Sequence, residues 1–274
     1  MKQKKINRFL SNVFIVIVLI AVLFPFAWLL ISSFKFEKDI ISYPPSIFSD
    51  SYTFENYIKV WTTIPLMKYI INTVIFAGGV VITSVFFDSL AGYAFARMNF
   101  KGKNFFYYFV LVTMLIPFQV FMIPLFLQMT ELNLIDSYPG LIIPRMTSAF
   151  GIFLMRSFFV SLPKDLEESA RIDGLNEFSI FLRIMLPLSK PAMITLGIQT
   201  LMNNWNDLLY PLLLTTTSDK RTLPSGLALF TGQNISFYGP VMAGAVISMI
   251  PLLIVYIFAQ KYFVQGVAMS GMKE

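Results

Sequence analysis

Long apolar segments separated by short charged ones are the dominant pattern of this chain. The segments 9–34, 69–87 and 105–130 contain no Asp, Glu, Lys or Arg. A membrane hydrocarbon core about 30 Å thick requires roughly 20 apolar residues per helix. Each segment is therefore long enough to cross a membrane, and the pattern predicts the first three transmembrane helices here.

Three further apolar segments complete the pattern with a less uniform composition. They cover 138–155, which contains Arg145, about 191–214, which contains Asp207, and part of the uncharged stretch 222–260. The turn-forming sequences "PSG", "TGQN" and "YGP" indicate an external loop within that last stretch, so we predict the sixth helix at 240–260. The chain is thus expected to be an all-α integral membrane protein with six transmembrane helices.

The composition agrees with a membrane protein. Hydrophobic residues make up 56% of the chain and charged residues only 13%, whereas soluble domains carry about 25% charged residues. Short loops rich in Lys and Arg stay in the cytoplasm, and the N-terminal segment 1–12 carries Lys2, Lys4, Lys5 and Arg8. An even number of spans then places both termini in the cytoplasm. This topology and contact with lipid head groups explain the net charge of +6 without a nucleic-acid partner.

The same pattern predicts the organisation of the chain. We expect a cytoplasmic N-terminus at 1–12, a first transmembrane helix at 13–33, an external loop at 34–68, a five-helix core at 69–262 that includes a polar loop at 161–187, and a cytoplasmic C-terminal tail at 263–274. The first helix is predicted to be an anchor, because its apolar run exceeds the 7–15 residues of a secretory signal and no A-x-A site follows.

Several chemistries are excluded by missing residue types. The chain has no Cys and no His, which excludes thiol chemistry, Cys or His metal sites and histidine proton relays. A nucleotide-binding P-loop needs a Gly-Lys pair followed by Ser or Thr, but Gly102 and Lys103 are followed by Asn104. We therefore expect neither an enzyme nor a bound cofactor in this chain.

The polar loop, residues 161–187, interrupts the apolar pattern with a high density of charge. Nine charged residues fall within the 27 residues from Lys164 to Lys190, and charge this dense does not lie in lipid. Ser161 and Pro163 favour a helix start, Gly174 favours a left-handed helix end, and a second short helix is expected near Asn176. Two short helices joined by a turn could dock a soluble partner; a helix lying on the membrane surface is the alternative.

One set of residues in the polar loop resembles a known motif. The EAA motif of permease subunits in ATP-binding-cassette importers reads E-A-A-x-x-D-G and is followed by I-x-L-P. The matching residues are Glu168, Ser169, Ala170, Asp173, Gly174, Ile184, Leu186 and Pro187. The departure within the first triplet is Ser169, which replaces one small residue by another.

The resemblance extends over most of the chain after its first 60 or so residues. "LAGYAFARMNFKGK" at 90–103, "PFQVFMIPLF" at 117–126, "FGIFLMRSFF" at 150–159 and "NNWNDLLYPLLL" at 203–214 are similar to carbohydrate-importer permeases of the maltose-transporter type. The chain resembles the shorter of their two permease subunits. This resemblance implies a type I importer fold, a second permease subunit, two ATPase subunits that bind ATP and Mg, and an extracytoplasmic sugar-binding protein.

The resemblance also implies roles for individual residues. Glu168 would meet a basic residue of the ATPase, Gly174 would form the bend between the two short helices, and Pro187 would start the fifth span. The C-terminal tail would reach the ATPase interface, although its last residues, Met272 to Glu274, depart from the Gly-rich ending of the family.

Ionisable and amide groups within the predicted spans are the remaining candidate sites. Asp88 could be part of a structural pair or of a gate, and Arg145 could face the translocation path. The candidate pathway residues are Arg145, Asn203, Asn204, Trp205, Asn206 and Asp207. Amides, a carboxylate and an indole suit sugar binding, but they also hold helices together by hydrogen bonds. We favour the second interpretation, because this type of subunit need not contact substrate.

These observations predict a permease subunit of an ATP-driven oligosaccharide importer, in the cell membrane and in contact with lipid. Arg145 is the only basic residue within the predicted spans, which favours a neutral cargo over glycerol phosphate, amino acids or inorganic anions. A secondary transporter or a structural membrane protein is a further alternative. The EAA-like motif disfavours both, because neither of them requires an ATPase.

Overall fold

The computed structural model describes residues 2–231 and 237–271, and their side chains from residue 9 to 258 and at Gln260. The elements within these ranges are helices, which confirms the predicted all-α class. The α-helices are α1 (Lys2–Ser32), α2 (Glu37–Ile40), α3 (Glu55–Thr63), α4 (Leu66–Arg97), α5 (Lys103–Val112), α6 (Phe118–Glu131), α7 (Tyr138–Ile142), α8 (Ala149–Ser161), α9 (Asp165–Ile172), α10 (Glu177–Ile180), α11 (Leu186–Leu188), α12 (Lys190–Trp205), α13 (Leu209–Leu214), α14 (Leu223–Leu227) and α15 (Tyr238–Gly271). Short 3₁₀ segments occur at Thr113–Leu115, Ile143–Arg145 and Ala228–Phe230, and a π-helical segment occurs at Phe181–Met185.

Three of the described helices are long and apolar enough to cross a membrane unaided: Phe9–Ser32, Leu66–Arg97 and Tyr238–Phe258. Three further candidates are bent helix pairs. They are Lys103–Leu115 with Phe118–Glu131, bent by 101°, Tyr138–Arg145 with Ala149–Ser161, bent by 47°, and Glu177–Leu188 with Lys190–Trp205, bent by 78°. The number of spans reaches the predicted six if each bent pair is one span.

The predicted fifth span differs most from the structure. It was expected to be continuous over about 191–214, with a start at Pro187, but Pro187 lies in α11 and α12 begins at Lys190. Pro191 lies in the first turn of α12. A proline there suits a helix start, and it has no N–H to continue the preceding helix. The same span is broken again between Trp205 and Leu209.

Other boundaries moved by smaller amounts. The predicted external loop at 34–68 contains α2 and α3, and α4 begins at Leu66. The last helix covers Tyr238–Gly271, so it is longer than the predicted 240–260 and includes most of the predicted tail at 263–274. Residues 272–274 of that tail lie outside the described residues.

The chain divides into two compact units. The first unit combines Met1–Leu66 with Leu227–Pro251. Within it, the Glu37 carboxylate accepts hydrogen bonds from the backbone N–H groups of Tyr238 and Gly239, at 2.8 and 3.0 Å. These N–H groups open α15, and a carboxylate is the favourable partner for a helix N-terminus. Glu37 therefore anchors the start of the last helix to the loop after α1.

The second unit combines Met67–Gly226 with Leu252–Glu274 and contains the candidate sites. One buried cluster joins α4, α8, the polar loop and α12; it consists of Tyr93, Met155, Phe159, Ala170, Ile180, Phe181, Met185, Ala192 and Leu196. A second cluster consists of Phe76, Val80, Met129, Leu141, Tyr210 and Leu214. Burying a large apolar side chain contributes about 1.5–3 kcal/mol, so these clusters fix the polar loop and α13 against α4.

Candidate functional site

The polar loop folds as two short helices joined by a turn, as predicted. Gly174 adopts a φ of +81°, where a side chain would be strained. The Gly174 N–H donates to the Arg171 carbonyl at 3.1 Å, and the Leu175 N–H donates to the Ala170 carbonyl at 3.0 Å. This pair of bonds forms a Schellman motif that closes α9. Asn176 then starts α10 by accepting a hydrogen bond from the Ser179 N–H at 2.8 Å.

The predicted helix start at Ser161 and Pro163 was wrong. Ser161 is the last residue of α8, and α9 begins four residues later at Asp165. The Ser161 hydroxyl donates to the Phe158 carbonyl at 2.7 Å, within the end of α8. Ser161 therefore serves the helix before it, although serine favours a helix start in isolation.

The residues that match the EAA motif divide between an outer and an inner face. Ala170 is buried in the apolar cluster, whereas Glu168, Ser169, Asp173 and Gly174 are exposed. Two large apolar side chains share the outer face: Ile172 is 87% exposed and Phe178 is 55% exposed. We call Glu168, Ser169, Ile172, Asp173 and Phe178 the loop surface. Ile184 and Leu186 are half-buried and Pro187 is exposed.

A buried ion network attaches the polar loop to α4. The Glu167 carboxylate lies 3.3 Å from the Arg97 Nε and 3.7 Å from the Arg171 guanidinium, and the side chains of Glu167 and Arg97 are each only 4% exposed. Burial raises the pKa of Glu167 above its ordinary value, and it outweighs the opposing effects of Arg97 and Arg171. Removing one partner of such a pair leaves a buried charge uncompensated.

A second set of contacts extends the network across the turn. Arg171 pairs with Glu177 at 2.8 Å, and the Tyr93 hydroxyl donates to the Glu177 carboxylate at 3.1 Å. Tyr93 and Arg97 both belong to α4, so both short helices of the polar loop are attached to that span. Sequence reasoning selected Glu168 and missed Glu167; the four-residue spacing of Glu167 and Arg171, which favours pairing on one helix face, is the signal that could have identified it.

Arg145 and Asp207 form an ion pair in the apolar part of the second unit. The Arg145 guanidinium lies 2.6 Å from the Asp207 carboxylate and donates to the Asn204 Oδ1 at 2.9 Å. The Asp207 carboxylate also accepts the Tyr210 N–H at 3.1 Å and so caps the start of α13. Asp207 thus neutralises Arg145 and stabilises the helix that follows the break after Trp205.

Tyr210 completes this arrangement and was not predicted. Its ring centroid lies 4.0 Å from the Arg145 guanidinium carbon, a favourable cation–π contact. Its hydroxyl donates to the carbonyls of Gly140 and Leu141, each at 3.1 Å, and its ring stacks on Phe76 at 5.9 Å. Tyr210 therefore connects α13 to α7 and α4 around the ion pair.

Asp88 is an internal helix anchor. Its side chain is fully buried and accepts hydrogen bonds from the hydroxyls of Ser84 and Thr147, both at 2.6 Å, and from the Ser148 N–H at 2.8 Å and hydroxyl at 3.0 Å. Ser148 is the N-cap of α8. A Cβ at Gly151 would lie 1.9 Å from the Asp88 carboxylate, so only glycine fits there. Among the described residues Asp88 thus has hydroxyl and N–H partners in place of the charged partner of a structural pair, and a gate role stays a prediction.

Two cavities lie on either side of Arg145. The first has a volume of about 450 Å³ and is lined by Val80, Ser84, Pro144, Arg145, Thr147, Ser148, Phe150, Gln199, Thr200, Asn203 and Asn204. The second, of about 440 Å³, is lined by Phe118, Phe121, Pro124, Leu125, Gln128, Pro144, Arg145 and Tyr210. Of the predicted pathway residues, Arg145, Asn203 and Asn204 therefore meet in the first cavity. Trp205, Asn206 and Asp207 are outside its lining, and Trp205 is only 3% exposed.

Comparison with known proteins identifies the family. Residues 88–269 match the family described as binding-protein-dependent transport system inner membrane component. The arabinooligosaccharides transport system permease protein AraQ of Halalkalibacterium halodurans is 36% identical over 253 residues, which cover 91% of each chain. The trehalose/maltose transport system permease protein MalG of Thermococcus litoralis is 34% identical and covers 100% of this chain and 99% of its own.

A solved structure agrees with these relatives. A permease chain in the crystal structure of a bacterial ABC transporter involved in the import of the acidic polysaccharide alginate matches with a TM-score of 0.80 and 27% identity, over 96% of this chain and 98% of that one. The resemblance predicted from the motifs is confirmed. The chain therefore belongs to the binding-protein-dependent transport system inner membrane components, the multi-pass permease subunits of ATP-binding-cassette importers, which are transporter subunits rather than enzymes.

Proposed function

We propose that this permease forms half of a pathway for neutral oligosaccharides. The observation that supports a neutral cargo is the ion pair of Arg145 with Asp207, at 2.6 Å. Within the described residues, Arg145 is the one basic residue that lines either cavity, and Asp207 neutralises it. An anionic cargo such as glycerol phosphate would need an unpaired cation along the path, because a buried charge is costly without a partner.

The saccharide class is supported by the relatives. The two curated relatives carry arabinooligosaccharides and trehalose or maltose in their names, and the solved relative is described as an importer of alginate. Alginate is acidic, so these names support a saccharide without choosing its charge. The proposal that the cargo is neutral therefore rests on the Arg145–Asp207 pair alone.

Coupling to a separate ATPase is assigned to the loop surface. Glu168, Ser169 and Asp173 offer polar groups there, and Ile172 and Phe178 offer exposed apolar area. Exposed apolar patches rimmed by polar residues mark docking sites. We assign the loop surface to the cytoplasmic side, together with both termini, and expect the complex to contain a second permease, two ATPase subunits that hold ATP and Mg, and an extracytoplasmic sugar-binding protein.

The neutral-saccharide proposal is tested with the whole complex in liposomes. ATPase stimulation and uptake are measured with arabinotriose, maltose, trehalose and sn-glycerol 3-phosphate, each presented with the binding protein of the system. We expect both activities with at least one neutral saccharide and neither with the phosphate. Uptake of the phosphate without any saccharide uptake would contradict the proposal.

The coupling assignment is tested by a matched pair of variants. Glu168→Lys reverses a charge on the loop surface, and Glu131→Lys reverses an exposed charge at the end of α6, outside the loop surface. We expect the first variant to insert normally, to lose most of its ATPase binding and to stop uptake, while the second keeps ATPase binding. Normal uptake by a well-inserted Glu168→Lys variant would disprove the assignment.

A further inference from the structure

Two carboxamide side chains on α12 point into the first cavity. Gln199 and Asn203 are four residues apart, which places them on one helix face, and both are exposed. Their side chains approach each other at 3.5 Å, from the Gln199 Nε2 to the Asn203 Oδ1. Within the described residues this is the one side-chain hydrogen bond that either of them makes, so most of their donors and acceptors are available.

The neighbouring amide Asn204 behaves differently. It is 5% exposed, donates to the Thr200 carbonyl at 2.8 Å and accepts from Arg145 at 2.9 Å. Asn204 therefore holds α12 to the segment before α8, whereas Asn203, one residue earlier, faces open space. The polar cluster of α12 thus contains Asn204, which is bonded within the protein, and the amides of Gln199 and Asn203, which line the first cavity.

The depth of these groups in the membrane indicates what Gln199 and Asn203 face. Asp88 precedes Arg97, at the end of α4, by nine residues, or about 13 Å of helix, which is well inside a hydrocarbon core about 30 Å thick. Ser84 lies one turn farther into the core and lines the same cavity as Gln199 and Asn203. Exposed amides at that depth are costly against lipid. They are expected to face a water-filled path.

The cavity matches the chemistry of a saccharide. Each carboxamide offers one acceptor oxygen and two N–H donors, so a pair of them can bind adjacent hydroxyl groups in both directions. Phe150 lines the same cavity and is 42% exposed, and its ring can cover the apolar face of a sugar. The volume of about 450 Å³ lies within the usual range of about 300–1,000 Å³ for ligand sites.

We propose that Gln199, Asn203 and Phe150 form a saccharide-contacting site within this subunit. Gln199 and Asn203 bind hydroxyl groups and set the preference among saccharides, and Phe150 packs against the ring. Arg145, Asn204 and Asp207 hold the cavity wall in place. This inference rests on the proposed function, because it requires that the complex imports saccharides.

The test compares alanine variants in the whole complex in liposomes, with saturating binding protein. Gln199→Ala and Asn203→Ala remove one carboxamide each. Asn206→Ala is the matched control. Asn206 is an exposed amide at the end of the same helix, and its side chain donates to the Met202 carbonyl of that helix. It lies outside the cavity lining. The measured quantity is the ratio of uptake rates for the two saccharides of the panel that the wild type imports fastest.

We expect each cavity variant to change that ratio about fivefold, the effect of losing one typical hydrogen bond, with unchanged complex yield. Asn206→Ala should leave the ratio unchanged. Asn203→Ser, which keeps a smaller polar group, should change the ratio in the same direction as Asn203→Ala and guards against a folding defect in the alanine variant.

Two results would overturn the inference. An unchanged ratio in both cavity variants would exclude contact with the cargo, and an equal loss for every saccharide together with lower yield would make these amides structural. In both cases the wild-type complex still imports saccharides, and the proposed function stands. A wild-type complex that imports no saccharide would instead contradict the proposed function itself.

Discussion

Two pairs of an arginine with a carboxylate in the second unit, one buried in the polar loop and one half-buried in the spans, solve the same problem in different ways. In the polar loop, Glu167 lies between Arg97 and Arg171, so one carboxylate is shared by two guanidinium groups. In the spans, Arg145 has one carboxylate partner, Asp207, and adds the Tyr210 ring and the Asn204 amide. The loop network therefore balances two guanidinium groups with two carboxylates, since Glu177 also pairs with Arg171, whereas the intramembrane pair is supported by neutral groups.

This difference determines which partners each arginine keeps when its carboxylate is removed. Loss of the Glu167 carboxylate leaves Arg97 with one polar partner among the described residues, the Leu162 carbonyl at 2.5 Å. Arg171 keeps Glu177. Loss of Asp207 leaves Arg145 with no anionic partner in the part of the chain that the structure describes, and it also removes the side-chain hydrogen bond at the start of α13. We therefore expect both sites to be sensitive to a neutral substitution, because Arg97 and Arg145 each lose the one carboxylate that pairs with them among the described residues.

The largest effect is expected from reversing a charge in the loop network. Arg97→Glu would place two carboxylates side by side in a buried site, and we expect a loss of stability of roughly 3–5 kcal/mol. Exchanging the partners, Arg97→Glu with Glu167→Arg, should restore at least half of that loss. Thermal unfolding of the purified complex measures both. An exchange variant as unstable as Arg97→Glu would show that the network does not depend on this pair.

A slightly smaller effect is expected from neutralising Asp207. Asp207→Leu leaves the Arg145 guanidinium without its carboxylate and with only the neutral Asn204 amide and Tyr210 ring as support, at a cost of up to about 2.5–3.5 kcal/mol. The double variant Asp207→Leu with Arg145→Leu removes the unpaired charge and should be more stable than Asp207→Leu alone. Complex yield and unfolding temperature are the measurements. Equal instability of the single and double variants would mean that the lost α13 cap, rather than the ion pair, dominates.

A loss of stability of intermediate size is expected from Gly174, in the turn that brings Arg171 to Glu177. Gly174→Ala forces a side chain into φ +81°, which costs about 1–2 kcal/mol, while a Cβ there meets no atom within 4 Å. The loss should therefore come from backbone strain alone. Ser169→Ala, at an exposed position of α9, is the control. If both variants unfold at the same temperature, the turn does not contribute to the network.

The smallest effect is expected from pH and concerns Glu167. Its pKa is raised in the folded protein, so its contribution to stability is largest below its ordinary value of 4.5 and is lost as the pH rises through the folded value. Glu167→Gln is neutral throughout. Relative to this variant, the wild type should become less stable as the pH rises. The expected decrease in unfolding temperature is at most about a few degrees. An opposite trend would mean that the two arginines outweigh burial.

Local signals predicted the polar loop well. Gly174 as the helix end and Asn176 at the next helix start follow from preferences that act within a few residues, and both occur in the structure. The apolar segments also predicted the three helices that are long enough to cross a membrane unaided, Phe9–Ser32, Leu66–Arg97 and Tyr238–Phe258, because hydrophobic length is a property of a continuous segment. The spacing of Glu167 and Arg171 could have indicated their pairing, but the burial of Glu167 depends on Arg97 of another helix and does not follow from one segment of sequence.

Contacts between distant residues account for the rest. Asp88 meets Thr147 and Ser148, and Arg145 meets Asp207, across about 60 residues of chain in each pair. No pattern within one segment reveals such partners. The break after Trp205 was missed because the span was predicted from its apolar residues alone. Asn and Asp side chains compete with the backbone hydrogen bonds of a helix, and the contact of Asp207 with the Tyr210 N–H is an example.

The π-helical segment Phe181–Met185 has a consequence for how the loop surface is oriented. A π turn holds one residue more than an α turn, so this segment carries an extra residue between the polar loop and α12. Deleting one residue there would let the helix become a regular α-helix. It would also rotate the polar loop by about 100° relative to the helix that follows the segment. The apolar contacts of Phe181 and Met185 oppose such a rotation. The extra residue thus sets the rotational register between the loop surface and the span that bears Gln199 and Asn203.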